Sequence, residues 1–194
     1  MTSTQYLRVP QDRIGVLLGK QGTLKSRVEE ETGVKINVDS GEGYVEVDGS
    51  SARDPVMELK VSSYVSAISR GFSSERAELL LGEEIFFDTV NISDYVGSGK
   101  NRLLRMRGRV IGKEGRSRKM IESLTDTMIS VQGDTVAIIG DAPELELAKA
   151  GIDMLLRGSE HSAVFHFLER KKRDLMIKEL AYSREPEWRE SEQP

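Results

Sequence analysis

Two short stretches hold the residue types that chemistry would need. Gly108-Arg109-Val110-Ile111-Gly112-Lys113-Glu114-Gly115 runs directly into Arg116-Ser117-Arg118-Lys119, and Gly15-Val16-Leu17-Leu18-Gly19-Lys20-Gln21-Gly22 repeats its frame, Gly-x-x-x-Gly-Lys-x-Gly. Glycine tolerates positive φ and leaves the backbone bare, so a ligand can come close. A helix that begins just after the last glycine turns its first N–H groups and the positive end of its dipole toward the loop. Lys20 and Lys113 add charge at the tip. Such a loop is built to capture a phosphate rather than to make or break bonds.

Two plainer readings of the glycines compete. A nucleotide-binding Walker loop needs four residues between its glycines and Ser or Thr after the lysine; here there are three, followed by Gln21 or Glu114. Gly99-Lys100 fails as well, because Asp94 stands where the first glycine belongs. The glycines could also be simple turns between helices. Their recurrence inside two basic windows argues for a ligand instead. The chain has a net charge of −4, yet Lys100 to Lys119 holds nine basic residues and one acid, Glu114. Arg8 to Arg27 holds five basic residues and one acid, Asp12. One acid among nine bases is not the mixed pattern of an ordinary solvated helix face. Candidate phosphate contacts are therefore Lys25 and Arg27 beside the first loop, and Arg105, Arg107, Arg109, Arg116, Arg118 and Lys119 beside the second. The more basic second window should contribute more of the salt dependence.

Other chemistries find little support. The chain has no cysteine, which excludes disulfides, thiolate nucleophiles and thiolate zinc sites. His161 and His166 are five apart, the wrong spacing for one helical face, and no carboxylate pattern completes a metal or catalytic site around them. Both read as incidental, no cofactor is expected, and an enzyme is the least favoured class. No window has the apolar length of a signal or membrane segment, so the reading is a soluble cytoplasmic protein. Arg170 to Arg173 reads as a solvated helix face.

The elements that must position the loops also repeat. At an offset of 93, Gly15, Gly19, Lys20 and Gly22 fall on Gly108, Gly112, Lys113 and Gly115, and Ile36 and Val38 on Ile129 and Val131. The offset drifts to 91 at Gly49 and Gly140 and to 87 at Arg70-Gly71 and Arg157-Gly158, as loop deletions would cause. Each copy reads as a short strand, a short helix, the glycine loop, a second helix, a hairpin and a third helix opened by Pro55 or Pro143. The fold class is α+β, β-α-α-β-β-α twice, with the helices on one face of a small antiparallel sheet. The first domain is residues 1–71, the connection 72–84, the second domain with an added C-terminal helix 85–180, and a flexible polar tail 181–194. Ser93 to Asn101 is a polar insertion of the second copy. Beside each loop, aliphatic side chains, Ile111, Ile121 and Ile129 in one copy and Leu18, Leu24, Val28 and Ile36 in the other, could wall a groove for unstacked bases. With 6% aromatic residues, two aromatic stacking platforms are hardly affordable.

Paired Gly-Lys-x-Gly loops in such units resemble two KH domains of type I, in which the GXXG loop clamps about four nucleotides of backbone. More narrowly, Arg107 to Arg116, Ile129-Ser130-Val131 and Thr135 to Gly140 resemble archaeal KH proteins related to the small-subunit assembly factor known as the partner of Nob. That resemblance covers roughly residues 5 to 180. It implies single-stranded RNA binding at the 3′ region of small-subunit precursor ribosomal RNA, with the GXXG residues Gly19, Lys20, Gln21, Gly22 and Gly112, Lys113, Glu114, Gly115 as the clamps. It also implies the Nob endonuclease and the α subunit of archaeal initiation factor two as partners. Eukaryotic relatives have a degenerate first loop, whereas Gly19 to Gly22 is intact here, and Glu114 puts an acid where a phosphate backbone should pass. The competing reading is a protein-interaction scaffold in which one KH face binds a protein, such as an initiation factor subunit.

Overall fold

The computed structural model describes residues 4–97 and 99–182, and within them the two halves of the chain fold alike. The first runs β1 (Thr4–Arg8), α1 (Gln11–Leu18), a tight turn at Lys20–Gly22, α2 (Thr23–Thr32), β2 (Lys35–Asp39), β3 (Tyr44–Asp48) and α3 (Pro55–Ser69). A short helix, α4 (Ser74–Ala77), continued by a turn at Glu78–Leu81, connects the halves. The second runs β4 (Phe86–Asn91), α5 (Ser93–Val96), α6 (Lys100–Ile111), a turn at Lys113–Gly115, α7 (Arg116–Thr125), β5 (Met128–Gln132), β6 (Thr135–Gly140), α8 (Ala142–Leu156) and α9 (His161–Tyr182). The expected β-α-α-β-β-α order forms in both, and part of the polar insertion folds as α5. Residues 183–194 of the expected tail lie outside the described residues. No helix among the described residues is long and apolar enough to cross a membrane.

Local signals set the boundaries. Pro10 ends β1 and precedes α1, where a missing N–H costs nothing. Gly33 stops α2 at φ 76°, and a side chain there would also meet the Ser51 carbonyl. Asp54 caps α3 by accepting from the Val56 N–H at 2.8 Å, with Pro55 in the first turn. The strands form two antiparallel sheets ordered β1-β3-β2 and β4-β6-β5, with Ile36 opposite Val47 and Ile129 opposite Ile138. In each sheet the hairpin's first strand is therefore an edge.

The two sheets differ in what covers the face away from their own helices. In β3, Val45 and Val47 are buried while Tyr44 is exposed and Glu46 half-buried, the alternation of a sheet with one wet face. β6 is buried at every position. Val136 and Ile138 join the second unit's own core, whereas Ala137 and Ile139 belong to the first unit's core together with Tyr64, Ile68 and Phe72. Phe87 and Met128 pack on that same cluster, and Ser130 Oγ donates to the Arg70 carbonyl at 2.8 Å. The second sheet is thus held between its own helices and the first unit.

Helix α9 packs along α7 and α8 through the buried Val164 and Leu168. Gly151 of α8 permits the approach, since a side chain there would lie 3.0 Å from Leu168. Lys172 bonds the Ser123 carbonyl and pairs with Asp126 at the end of α7, so one member of the basic run is structural. Arg170, Lys171 and Arg173 are exposed.

Candidate functional site

The two glycine loops are the same backbone turn. Gly19, Gln21 and Gly22 have φ/ψ of 71/−175°, 53/27° and 80/8°; Gly112, Glu114 and Gly115 have 73/175°, 55/27° and 77/11°. The two glycines of each loop serve different ends. A side chain on Gly19 would lie 2.5 Å from Leu24 Cγ, and one on Gly112 would lie 2.6 Å from Ser117 Cβ and 2.7 Å from the Ser117 nitrogen. The first glycine lets the loop close onto the following helix. A side chain on Gly22 or Gly115 would meet nothing within 4 Å, so there the positive φ and an open approach are what remain. Neither α2 nor α7 has a side-chain cap, which leaves first-turn N–H groups open behind that bare glycine. Lys20, Gln21, Lys113 and Glu114 are all exposed. Glu114 Oε2 lies 3.3 Å from Arg116 Nη2 in an exposed pair, worth under about 1 kcal/mol and easily rearranged around a phosphate.

The candidate cations separate into engaged and available. Arg109 is a correction: its Nη2 donates to the Ser159 carbonyl at 2.6 Å and its Nε to the Leu155 carbonyl at 3.3 Å, so it caps the C-terminal end of α8. Carbonyls there are orphaned and the helix dipole is negative, which suits a guanidinium. Arg13 does the same for α3 through the Ile68 and Phe72 carbonyls. Arg27 pairs with Glu78 of the connection. Lys25 lies 3.0 Å from Glu29, and Arg118 Nε lies 3.7 Å from Glu122 while its Nη1 reaches the Ile129 carbonyl at 3.4 Å. Among the described residues, no acid pairs with Lys20, Lys113, Lys119, Arg105 or Arg107. Of the candidates, the second window therefore keeps four without an acid partner, against one in the first.

Ile36 and Ile129 are also corrected. Their side chains are at most 1% exposed and belong to the cores, because both point toward the helices rather than into a groove. Their backbone edges carry the more telling feature. The Ile36 N–H donates to Glu29 Oε1 at 2.7 Å and the Ile129 N–H to Glu122 Oε1 at 2.8 Å, so a glutamate from each second helix ties down the edge strand in both units. Ile111, Leu18 and Leu24 stay partly exposed beside their loops, whereas Val28 and Ile121 are buried in the cores.

Two contributions were not foreseen from sequence. Gly71 of the first unit and Ser73 and Arg76 of the connection join Arg118, Ile129 and Ser130 around a cavity of about 280 Å³ at the edge of β5. His161, expected to be incidental, stands beside the second loop, with Nε2 2.9 Å from the Arg109 carbonyl. Only the return of α9 onto α7 brings it there. His166 is exposed, 3.5 Å from Glu169.

Comparison with known proteins agrees with this geometry. Residues 86–173 match the family described as eukaryotic type KH-domain (KH-domain type I), in the form of the second domain of PNO1, and residues 4–55 match the KH domain family. A KH domain-containing protein of Methanocaldococcus jannaschii is 43% identical over 174 residues, covering 89% of this chain and 76% of its own. The RNA-binding protein pno-1 of Caenorhabditis briggsae is 29% identical over 165 residues, covering 84% of this chain and 60% of its own. A chain in the crystal structure of the a/eIF2alpha, aDim2p and rRNA complex from Pyrococcus horikoshii superposes with a TM-score of 0.82 at 42% identity, covering 89% of this chain and 96% of that chain.

Proposed function

The chain belongs to the family of tandem KH-domain proteins that includes archaeal Dim2p and pno-1, and on that premise we propose that it binds single-stranded RNA during assembly of the small ribosomal subunit. The observation that carries this is the pair of identically built loops, each with an open glycine, an exposed lysine and an uncapped helix start. The sugar-phosphate backbone passes over Gly22 and Gly115, where nothing blocks it. Lys20 holds it in the first unit; Lys113, Lys119, Arg105, Arg107 and Arg116 hold it in the second. The second unit is the principal clamp, because Lys113, Lys119, Arg105 and Arg107 have no acid partner among the described residues and the Arg116–Glu114 pair is exposed and easily rearranged. The RNA is the 3′ region of the small-subunit precursor, a reading supported by the rRNA in the Pyrococcus complex.

A second reading applies to the first unit, whose sheet leaves Tyr6 and Tyr44 exposed next to Glu42 and Glu46. That face docks a protein, and the a/eIF2alpha in the same Pyrococcus complex makes the α subunit of initiation factor two the leading partner. The Nob endonuclease is proposed from the family resemblance. Ultraviolet crosslinking in cells tests the RNA reading. The expected result is crosslinked peptides spanning Gly112 to Lys119 and reads concentrated near the 3′ end of the small-subunit precursor. Reads spread over all cellular RNA would overturn the target, and crosslinks that spare both glycine loops would overturn the clamp.

A further inference from the structure

We propose that the second unit holds one additional nucleobase behind its glycine loop, in a pocket between α7 and α9; this rests on the RNA reading above. The pocket has a volume of about 290 Å³ and is lined by Gly112, Lys113, Arg116, Ser117, Met120, His161 and Phe165. That is the small end of the ligand range, roughly 300 Å³ upward, and suits one nucleotide rather than a larger molecule. On a helix, residues 116, 117 and 120 share one side of α7, while 118 and 122, which reach the edge strand β5, lie on the other. The pocket is thus separate from the cleft beside β5, with the loop between them.

Its walls fit a base. Phe165 and His161 offer two rings, with centroids 6.1 Å apart and inclined by 57°, and Met120 is 45% exposed opposite them. The Arg109 carbonyl can only accept, so His161 Nε2 carries a hydrogen, and in that tautomer Nδ1 is the acceptor that an amino group of a base could use. The Ser117 hydroxyl, in a residue 5% exposed, has no hydrogen-bond partner. Lys113 and Arg116 line the same pocket, where the phosphate of that nucleotide would lie.

The first unit shows what the same place looks like when closed. At the offsets of the repeat, Arg27 corresponds to Met120 and Glu78 to Phe165. Arg27 and Glu78 form an ion pair there. The first unit fills with matched charge the position at which the second presents a thioether and an aromatic ring.

The test transplants that closure. A double variant, Met120→Arg with Phe165→Glu, leaves net charge unchanged; its dissociation constant for a short single-stranded RNA is measured across a salt series, with copies of the RNA carrying one abasic position each. Loss of a stacked base should weaken binding about tenfold, with the salt slope unaltered. One abasic position should weaken the parent by the same factor and leave the variant unaffected. Phe165→Leu keeps the packing of α9 and removes only the ring, and should weaken binding several-fold without lowering the melting temperature. If both variants bind as the parent does, or no abasic position distinguishes parent from variant, the pocket is overturned and the loop reading stands. If the parent binds no RNA, both fall.

Discussion

The two units share one backbone design and have been put to different uses. At the central strand the equivalent positions are Glu46 and Ala137: the first is outward in β3 and bonds Tyr6 and Asn37, the second is buried against the other unit. At the second helix they are Arg27 and Met120, one tied to Glu78 and the other facing a pocket. At the loops themselves nothing of the backbone differs. A duplicated scaffold thus keeps its ligand-facing turn and specialises through the residues around it. The first unit retains an open sheet face, and the second retains its unpaired cations.

Exchanging those residues breaks the comparison most severely at the sheets. Ala137→Glu, which installs the first unit's residue in the second, should cost about 4 kcal/mol or more by urea unfolding, because it buries a charge without a partner. Glu46→Ala, the reverse change, should cost under about 1 kcal/mol, since its bonds are exposed. A smaller contrast separates the glycines of one loop. Gly112→Ala should cost about 3 kcal/mol, combining positive φ with a clash against the Ser117 backbone, and Gly115→Ala about 1 kcal/mol, from φ alone.

Next come the helix-capping arginines, where the units should behave alike. Arg109→Ala and Arg13→Ala should each lower stability by about 1–2 kcal/mol while leaving RNA affinity nearly unchanged. A large loss of affinity without loss of stability in Arg109→Ala would restore it to the RNA site. The smallest effect belongs to Tyr64, fully buried, whose hydroxyl has no partner. Burial, with help from Glu78, pushes its phenol from 10.0 up to about 12. Because the folded value is the higher one, its contribution is fully present below pH 10 and is lost as pH rises toward 12. Tyr64→Phe should flatten that part of the alkaline stability profile and be near neutral at pH 7.

The repeat, both loops and nearly every element were legible because glycines and apolar periodicity are local signals. The engagement of the cations was not. Arg109 is fixed by the Leu155 and Ser159 carbonyls, 46 and 50 residues away, and local spacing contains no trace of them. Ile36 and Ile129 sit on edge strands, and it is the sheet register and helix packing that turn their side chains inward. The covering of the second sheet did leave a mark: Val136-Ala137-Ile138-Ile139 is apolar without alternation, unlike Tyr44-Val45-Glu46-Val47, and such a run indicates burial on both faces. His161 was hidden because its place beside the loop depends on α9 folding back.

The assignment of the principal clamp to the second unit is tested most directly by charge reversal at each loop. Affinity for a short single-stranded RNA is measured against salt for Lys113→Asp with Glu114→Asp, and separately for Lys20→Asp with Gln21→Asp. Both should weaken binding, the first more than the second, and the Lys113 change should reduce the slope of log affinity against log salt by about one. Equal affinity and slope in both variants and the parent, or a larger loss at Lys20, would contradict it.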